Sequence, residues 1–203
     1  MEPGPDTDLY LASNSPRRQE LLRQIGVRFQ RLPSGCPQEV DEAVRAGEAV
    51  AAYVLRLAAE KAQAGWTCAA ALGLPALPVL GADTAVAIDG ITLGKPADAV
   101  AAAAMLKQLS GRVHRVLTGV AVVFEGGVET ALSATEVEFK ALSPAEIGRY
   151  VATGESLDKA GGYAVQGRAA VFVRRLAGSY SGVVGLPLFE TAALLTRLGV
   201  ELS

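Results

Sequence analysis

"VLGADTAVAIDGITLGKP", Val79 to Pro96, decides how the rest of the chain is read. An apolar run carrying Asp83 and Thr84 leads into Asp89-Gly90, a residue pair favoured in two-residue hairpin turns because both central positions need positive φ. The stretch therefore reads as a β-hairpin in which Ile88 faces Ile91 and Thr84 faces Lys95. That register puts Asp83 and Lys95 at the same end of the hairpin. A carboxylate inside an apolar strand is unfavourable unless it has a partner or a task. Beside a lysine it can bind a divalent cation, orient a water or close a salt bridge, and the residues alone leave all three open. "GITLGKP" is one residue short of a phosphate loop, and Pro96 stands where a Ser or Thr would hold magnesium, so that motif is rejected.

Toward the N-terminus, "LYLAS" is a short apolar strand and Ser15-Pro16 starts a helix, with Ser as N-cap and Pro at the first helical position. Arg17 and Arg18 follow at once, where the helix start already carries partial positive charge. Acidic residues are the expected choice there. The pair makes sense if an anion such as phosphate takes the helix N–H groups and the guanidinium forks together; two solvated arginines are the bland alternative. "VRFQRL" alternates as a strand. "DEAVRAGEAVAAYVLRLAAEKAQAGW" has helical periodicity, which puts Glu42 at a helix start and Lys61 near a helix end, both ordinary places for those charges. "TCAAALGLPALP" ends that helix and enters a loop.

Toward the C-terminus, "DAVAAAAMLKQLSG" is a helix, "HRVLTGVAVVFEGGVETALSATEVEFKAL" is two long strands, and "SPAEIGRYVATGE" is a second Ser-Pro-capped helix. "SLDKAGGYAVQG" is a glycine-rich loop carrying Asp158, Lys159 and Gln166; an amide such as Gln166 can read a base edge through its paired donor and acceptor. "AAVFVRRLAG" reads as a strand and "GLPLFETAALLTRLG" as a final helix. His114, the one histidine, lies at a strand start without a nearby nucleophile and reads as structural. Alternating strands and helices without a repeat define an α/β class with a mixed sheet.

The chain has 203 residues, half of them hydrophobic, and a net charge of −2. That suits one domain, or one domain with two lobes, and argues against non-specific binding to nucleic acid or anionic membrane. No apolar run is long enough to span a membrane. Residues 1–8, "MEPGPDTD", read as a disordered tail ahead of a single domain over 9–203. Cys36 and Cys68 lack metal-ligand or redox spacing and, with no signal sequence, read as reduced thiols of a cytosolic protein. One histidine excludes a His-rich zinc site, so a metal would be a hard cation held by carboxylates and substrate oxygens.

The motifs "LASNSPRRQELL", "VDE", "EKA", "GADTAVAIDGITLGKP", "LSGRVHRVLTGVAV", "TEVEF" and "ESLDKAGGYAVQGRAAVFVRRLAGSYSGVVGLPLFET", in this order, resemble the Maf family, often called septum-formation inhibitor proteins. The resemblance runs from Leu9 to Thr191. It implies an elongated mixed β-sheet flanked by helices, two lobes around a central cleft, and often a homodimer. It implies a cytoplasmic nucleoside triphosphate pyrophosphatase that uses a divalent metal cation, Mg or Mn. Asp83 corresponds to the acid that accepts a proton from the attacking water. Ser13, Arg17, Arg18, Lys61 and Lys95 correspond to phosphate-binding positions, and Glu42 to a metal or water ligand with Asp83. Asp158 and Lys159 match the family's Asp-Lys pair. Arg17, Thr84 and Gln166 match its specificity positions, and "DKAGGYAVQG" is similar to the branch acting on dTTP and UTP. Asn14 and Ser181-Gly182 depart from the family pattern, and the Ala-rich insertion at 69–78 implies a surface loop. The competing classes are a nucleotide-sensing regulator of division that binds without turnover, and a nucleic-acid binder using the Arg-Arg segment. A positioned acid favours the enzyme, and the sparse aromatics and acidic net charge disfavour the last.

Overall fold

The Asp89-Gly90 turn forms, with φ values of 52° and 76°. It joins β3 (Val79–Ile88) to β4 (Ile91–Leu93), antiparallel, with Ile88 opposite Ile91. A computed structural model describes residues 7–33, 36 and 40–202. Around the hairpin it places β1 (Leu9–Leu11), α1 (Pro16–Gln24), β2 (Phe29–Arg31), α2 (Val50–Ala71), α3 (Ala99–Leu109), β5 (Val113–Phe124), β6 (Gly127–Phe139), α4 (Pro144–Val151), β7 (Val173–Ala177), α5 (Tyr180–Val184) and α6 (Leu188–Arg197). The strands form one mixed sheet in the order β2-β1-β3-β5-β6-β7, with β4 pairing β3. β1 is parallel to β2 and β3, whereas β6–β7 is antiparallel. Among the described residues, no helix is long and apolar enough to cross a membrane.

The chain divides into two compact units. The first holds the chain up to Asp83, Thr118–Ser133 and the stretch from Gly185 on. The second holds Thr84–Leu117 and Ala134–Val184. In the first, α2 lies against β3 and β5 through a face of small residues, Ala58, Ala62, Gly65 and Ala69. The helix comes so close that a Cβ on Gly81 would sit 2.5 Å from the Ala58 carbonyl oxygen and 2.7 Å from the Ala62 nitrogen. A Cβ on Gly119 would sit 2.4 Å from the Val54 carbonyl oxygen. Only glycine admits backbone-to-backbone packing of that kind. In the second unit, β3, β5, β6, α3 and α4 enclose a core that includes Val86, Leu106, Val116, Phe139, Ile147 and Phe172. α4 is fastened by a reciprocal capping box between Ser143 and Glu146.

His114 is structural, as expected: it is 2% exposed, Nε2 lies 2.8 Å from the Tyr163 hydroxyl, and its ring meets Phe139 and Tyr163 edge-on.

Five expectations need correction. Residues 41–49 are not helical; the helix starts only at Val50, because Gly47 turns left-handed (φ +74°) and Glu48 accepts a hydrogen bond from the Arg45 backbone N–H. Lys61 is therefore in mid-helix rather than at its end. The first four residues of "AAVFVRRLAG", Ala169 to Phe172, belong to a 3₁₀ turn that spans Arg168–Phe172, and a short helix, α5, occupies "YSGVV". Cys36 and Cys68 are not free thiols but a disulfide, with Cα atoms 5.5 Å apart. Spacing along the chain cannot show this pair, because α2 returns Cys68 to the segment after β2 across 32 residues. Of the expected tail, residues 1–6 lie outside the described set, but Asp8 is ordered: its carboxylate pairs with the Arg28 guanidinium at 2.7 Å, which holds the acid below the usual carboxylate range.

Two predictions come from this packing. Closing a loop of 32 residues is worth about 3–4 kcal/mol by chain entropy. Chemical unfolding should show Cys68→Ala less stable than wild type by that order, and the gap should vanish when both are measured in reductant; equal stability without reductant would contradict the bond. Burial lowers the His114 pKa to about 4 from 6.5. The unfolded chain then takes the proton first as pH falls, so stability is lost between those two values and not above them, by about 3 kcal/mol in all. His114→Gln should remove that part of the slope; an identical pH profile would show the ring does not stay neutral in the fold.

Candidate functional site

Two short polar clusters of the first unit contain most of the residues singled out above. The first is at the start of α1. Pro16 occupies the first turn, no acidic side chain lies in that turn, and the Ser15 cap residue makes no side-chain hydrogen bond to the helix. Instead the buried Ser13 hydroxyl accepts from the Ser15 N–H at 3.2 Å and from Arg18 Nη1 at 3.3 Å. Arg18 Nε donates to the Gly185 carbonyl at 2.8 Å. These two bonds orient the guanidinium. Burial pulls the Arg18 pKa down; Asp83 and Glu42 push it up and Arg17 pushes it down. Arg18 therefore feels the charges of Asp83, Arg17 and Glu42.

The second cluster is centred on Lys61. Its ammonium donates to Asp83 Oδ1 and to Glu42 Oε1, each at 2.7 Å. The Lys61 and Asp83 side chains are 14% and 12% exposed, whereas Glu42 is 55% exposed. The three come from different segments: α2, β3 and the irregular stretch before α2. Asp83 lies two residues beyond Gly81 and so on the same strand face, the one pressed on α2. Lys61 is next to Ala62, whose nitrogen bounds the Gly81 contact. The close approach thus brings ammonium and carboxylate together.

The expected register that sets Thr84 opposite Lys95 needs correction, and the ammonium bonded to Asp83 is that of Lys61. The β3–β4 ladder ends at Val86 opposite Leu93, short of Thr84 and Lys95. The chain then turns away, with the Gly94 carbonyl accepting from the Gly161 N–H at 3.0 Å. In the second unit Lys95 is exposed, Thr84 is half-buried and Gln166 is exposed. Lys159 donates to the adjacent Asp158 carboxylate.

Sequence reading missed the residues that hold Glu42 in place. Arg56, one turn before Glu60 on α2, forms a two-pronged bond to Glu48 at 2.6 and 2.8 Å and a further bond to Glu60 at 3.2 Å. It also donates to the backbone carbonyls of Asp41 at 3.4 Å and Ala43 at 3.1 Å. The Tyr53 hydroxyl donates to the Glu42 carbonyl at 3.0 Å. Arg56 holds Glu48 down to a pKa of about 2, and Glu48 in turn raises that of Arg56. The Arg56-Glu60 spacing of four was the available signal; the bonds to Asp41, Ala43 and Glu48 were not readable.

The residues also fit a divalent cation. Two carboxylates, Asp83 and Glu42, converge on a single cationic atom, and magnesium is commonly held by one or two carboxylates together with substrate phosphate oxygens. No group of three or more His, Cys, Asp or Glu side chains suited to a metal occurs among the described residues. Phosphate oxygens would have to complete the donor set.

If Arg56 fixes the 41–48 stretch, amide hydrogen exchange there should quicken at least about tenfold in Arg56→Ala. It should change little in Arg45→Ala, whose side chain is 66% exposed. Equal protection in wild type and Arg56→Ala would show that the stretch is held by something else.

The family model described as Maf-like protein matches residues 8–198. A dTTP/UTP pyrophosphatase of Ralstonia nicotianae is 54% identical over 207 residues, covering 100% of both chains. One of Chromobacterium violaceum is 52% identical over 197 residues, 97% of this chain and 98% of that protein. One of Cupriavidus metallidurans is 54% identical over 195 residues, 95% and 98% of the two. Among solved structures, the Staphylococcus aureus Ham1 protein aligns with 64% of this chain and 71% of its own at 13% identity and a TM-score of 0.44, a level that adds nothing to the fold described above. With the family model covering nearly the whole length and relatives above half identity from end to end, the chain belongs to the Maf-like protein family.

Proposed function

We propose that this protein hydrolyses dTTP and UTP to the nucleoside monophosphate and pyrophosphate with the help of Mg²⁺ or Mn²⁺. The observation that carries the reading is the Lys61 ammonium bonded to both Asp83 and Glu42, two carboxylates whose charges act on Arg18. The full-length relatives named dTTP/UTP pyrophosphatase support the substrate class.

In this reading water attacks the α-phosphorus. The bond from that phosphorus to the oxygen bridging the α- and β-phosphates breaks, and pyrophosphate leaves. Asp83 takes the proton of the water; a carboxylate has lone pairs to spare, so bonding to Lys61 does not prevent this. Lys61 fixes the orientation of both carboxylates. Asp83 and Glu42 would hold the cation, which when bound supplies positive charge against the phosphate oxygens. Ser13, Arg17 and Arg18 meet the charge that builds on the leaving pyrophosphate, with the α1 N–H groups contributing beside them. Asp158 orients Lys159. Thr84 and Gln166 choose the base.

The same reading places the protein in the cytoplasm, where its substrates are made. Small thiols there act on accessible disulfides. Cys36 and Cys68 are 4% and 8% exposed, which restricts that attack.

The test is pyrophosphate release from dTTP, UTP, CTP, GTP and 7-methyl-GTP with Mg²⁺, with Mn²⁺ and with excess chelator. Cation-dependent release from dTTP and UTP ahead of the others is expected, with 18O from labelled water appearing in the monophosphate. Nucleotide binding without release would make the protein a sensor. Release confined to 7-methyl-GTP or GTP would keep the chemistry and overturn the base assignment.

A further inference from the structure

Gln166 sits in a turn fastened at both ends. The Gly167 N–H donates to the Ala164 carbonyl at 3.0 Å, so Ala164 to Gly167 closes a four-residue turn with Gln166 at its third position. Val165 is buried beneath it, while Gln166 is exposed. On the entry side, the Ala164 N–H donates to the Tyr150 hydroxyl at 3.2 Å. On the exit side, the Arg168 N–H donates to Glu155 Oε1 and Oε2 at 3.0 and 3.2 Å. The two fasteners are joined, because the Tyr150 hydroxyl donates to Glu155 Oε1 at 2.9 Å. The Glu155 carboxylate also fills the space beside Gly167, where a Cβ would lie 2.4 Å from its oxygen. Tyr150 itself is 4% exposed on α4, packed edge-on against Phe172. An exposed glutamine on a free loop would sample many orientations. Here the backbone on both sides of it is bonded to one buried phenol and one carboxylate.

We infer that Tyr150 and Glu155 are positioning residues for base selection: together they hold the Ala164–Arg168 turn so that the Gln166 amide meets the base edge in one orientation. This rests on the reading of Gln166 in the proposed function. Discrimination by hydrogen bonding needs fixed donors and acceptors, since a mobile amide can re-pair with the wrong base at little cost. Glu155 and Tyr150 act only through the turn, so their removal should change which base is accepted more than it changes phosphate chemistry.

The experiment measures kcat/KM for dTTP, UTP, CTP and GTP in wild type, Gln166→Ala, Glu155→Ala, Glu155→Gln and Tyr150→Phe, with thermal unfolding of each. Preference is the ratio of the dTTP value to the CTP value. Glu155→Ala and Tyr150→Phe should shrink it at least about tenfold, in the direction of Gln166→Ala. Glu155→Gln keeps an acceptor oxygen for Arg168 and Tyr150 and should hold the ratio within about threefold of wild type. Tyr150→Phe keeps the packing and serves if Glu155→Ala does not fold. A uniform fall on all four nucleotides with the ratio unchanged would overturn the inference and leave a purely structural role. An unchanged ratio in Gln166→Ala would overturn it too, by removing base reading from the turn. No release by wild type would instead be the failure of the proposed function.

Discussion

The closeness of α2 to the backbones of β3 and β5 is the constraint on which the first unit depends. Gly81 and Gly119 have no side chain because the Ala58 and Val54 carbonyls occupy that space. The helix residues that meet Gly81 are the alanines Ala58 and Ala62. Lys61 follows Glu60 on the flank of this face, and Asp83 is the next residue on the strand face that Gly81 opens. Their bond follows from the steric fit rather than from long-range attraction, and β3 then carries the chain directly on to Thr84 and the hairpin.

Holding these charges so far out of water is unfavourable for stability. An ion pair with both partners largely buried returns little net free energy, and a well-packed apolar pair commonly does as well. Arg18 shows the same pattern: burial lowers its pKa, and a hydroxyl and a carbonyl are among the oxygens that hold it. Fixed cations beside a positioned carboxylate are what a reaction that builds negative charge on phosphate oxygens calls for. The Arg56 clasp has a complementary part, since Glu42 is exposed and could not otherwise stay on Lys61 without a large loss of side-chain and backbone entropy.

Much of the architecture was legible because its signals are local. Asp89-Gly90 fixed the hairpin register as far as Leu93, Ser15-Pro16 and Ser143-Pro144 marked two helix starts, and the alternation of elements gave the α/β class. The site was legible only in part. The hairpin register sets Thr84 opposite Lys95 only if the ladder runs on, and it stops two rungs early; the ammonium on Asp83 is that of Lys61. The true pairing depends on how near a helix lies to a strand, which no spacing rule contains. Glu42 was placed on a helix because the alanines after it continue the helical period; Gly47 and the Arg56 bonds to Glu48, Asp41 and Ala43 override that period. The Cys36–Cys68 bond was hidden for the same reason, being a contact between distant segments. Tyr150 and Glu155 went unremarked because their partners are backbone N–H groups, which look alike at every residue.

The central claim is that the Asp83 carboxylate is held by Lys61 for chemistry and not for the fold. Turnover of dTTP by Asp83→Asn, measured beside dTTP binding by the same variant, tests it most directly. The account predicts a loss of at least about 100-fold in kcat with the dissociation constant changed only a few-fold, as expected when a general base is removed. Turnover close to wild type would contradict it, and would return the Asp83–Lys61 bond to the status of an internal ion pair.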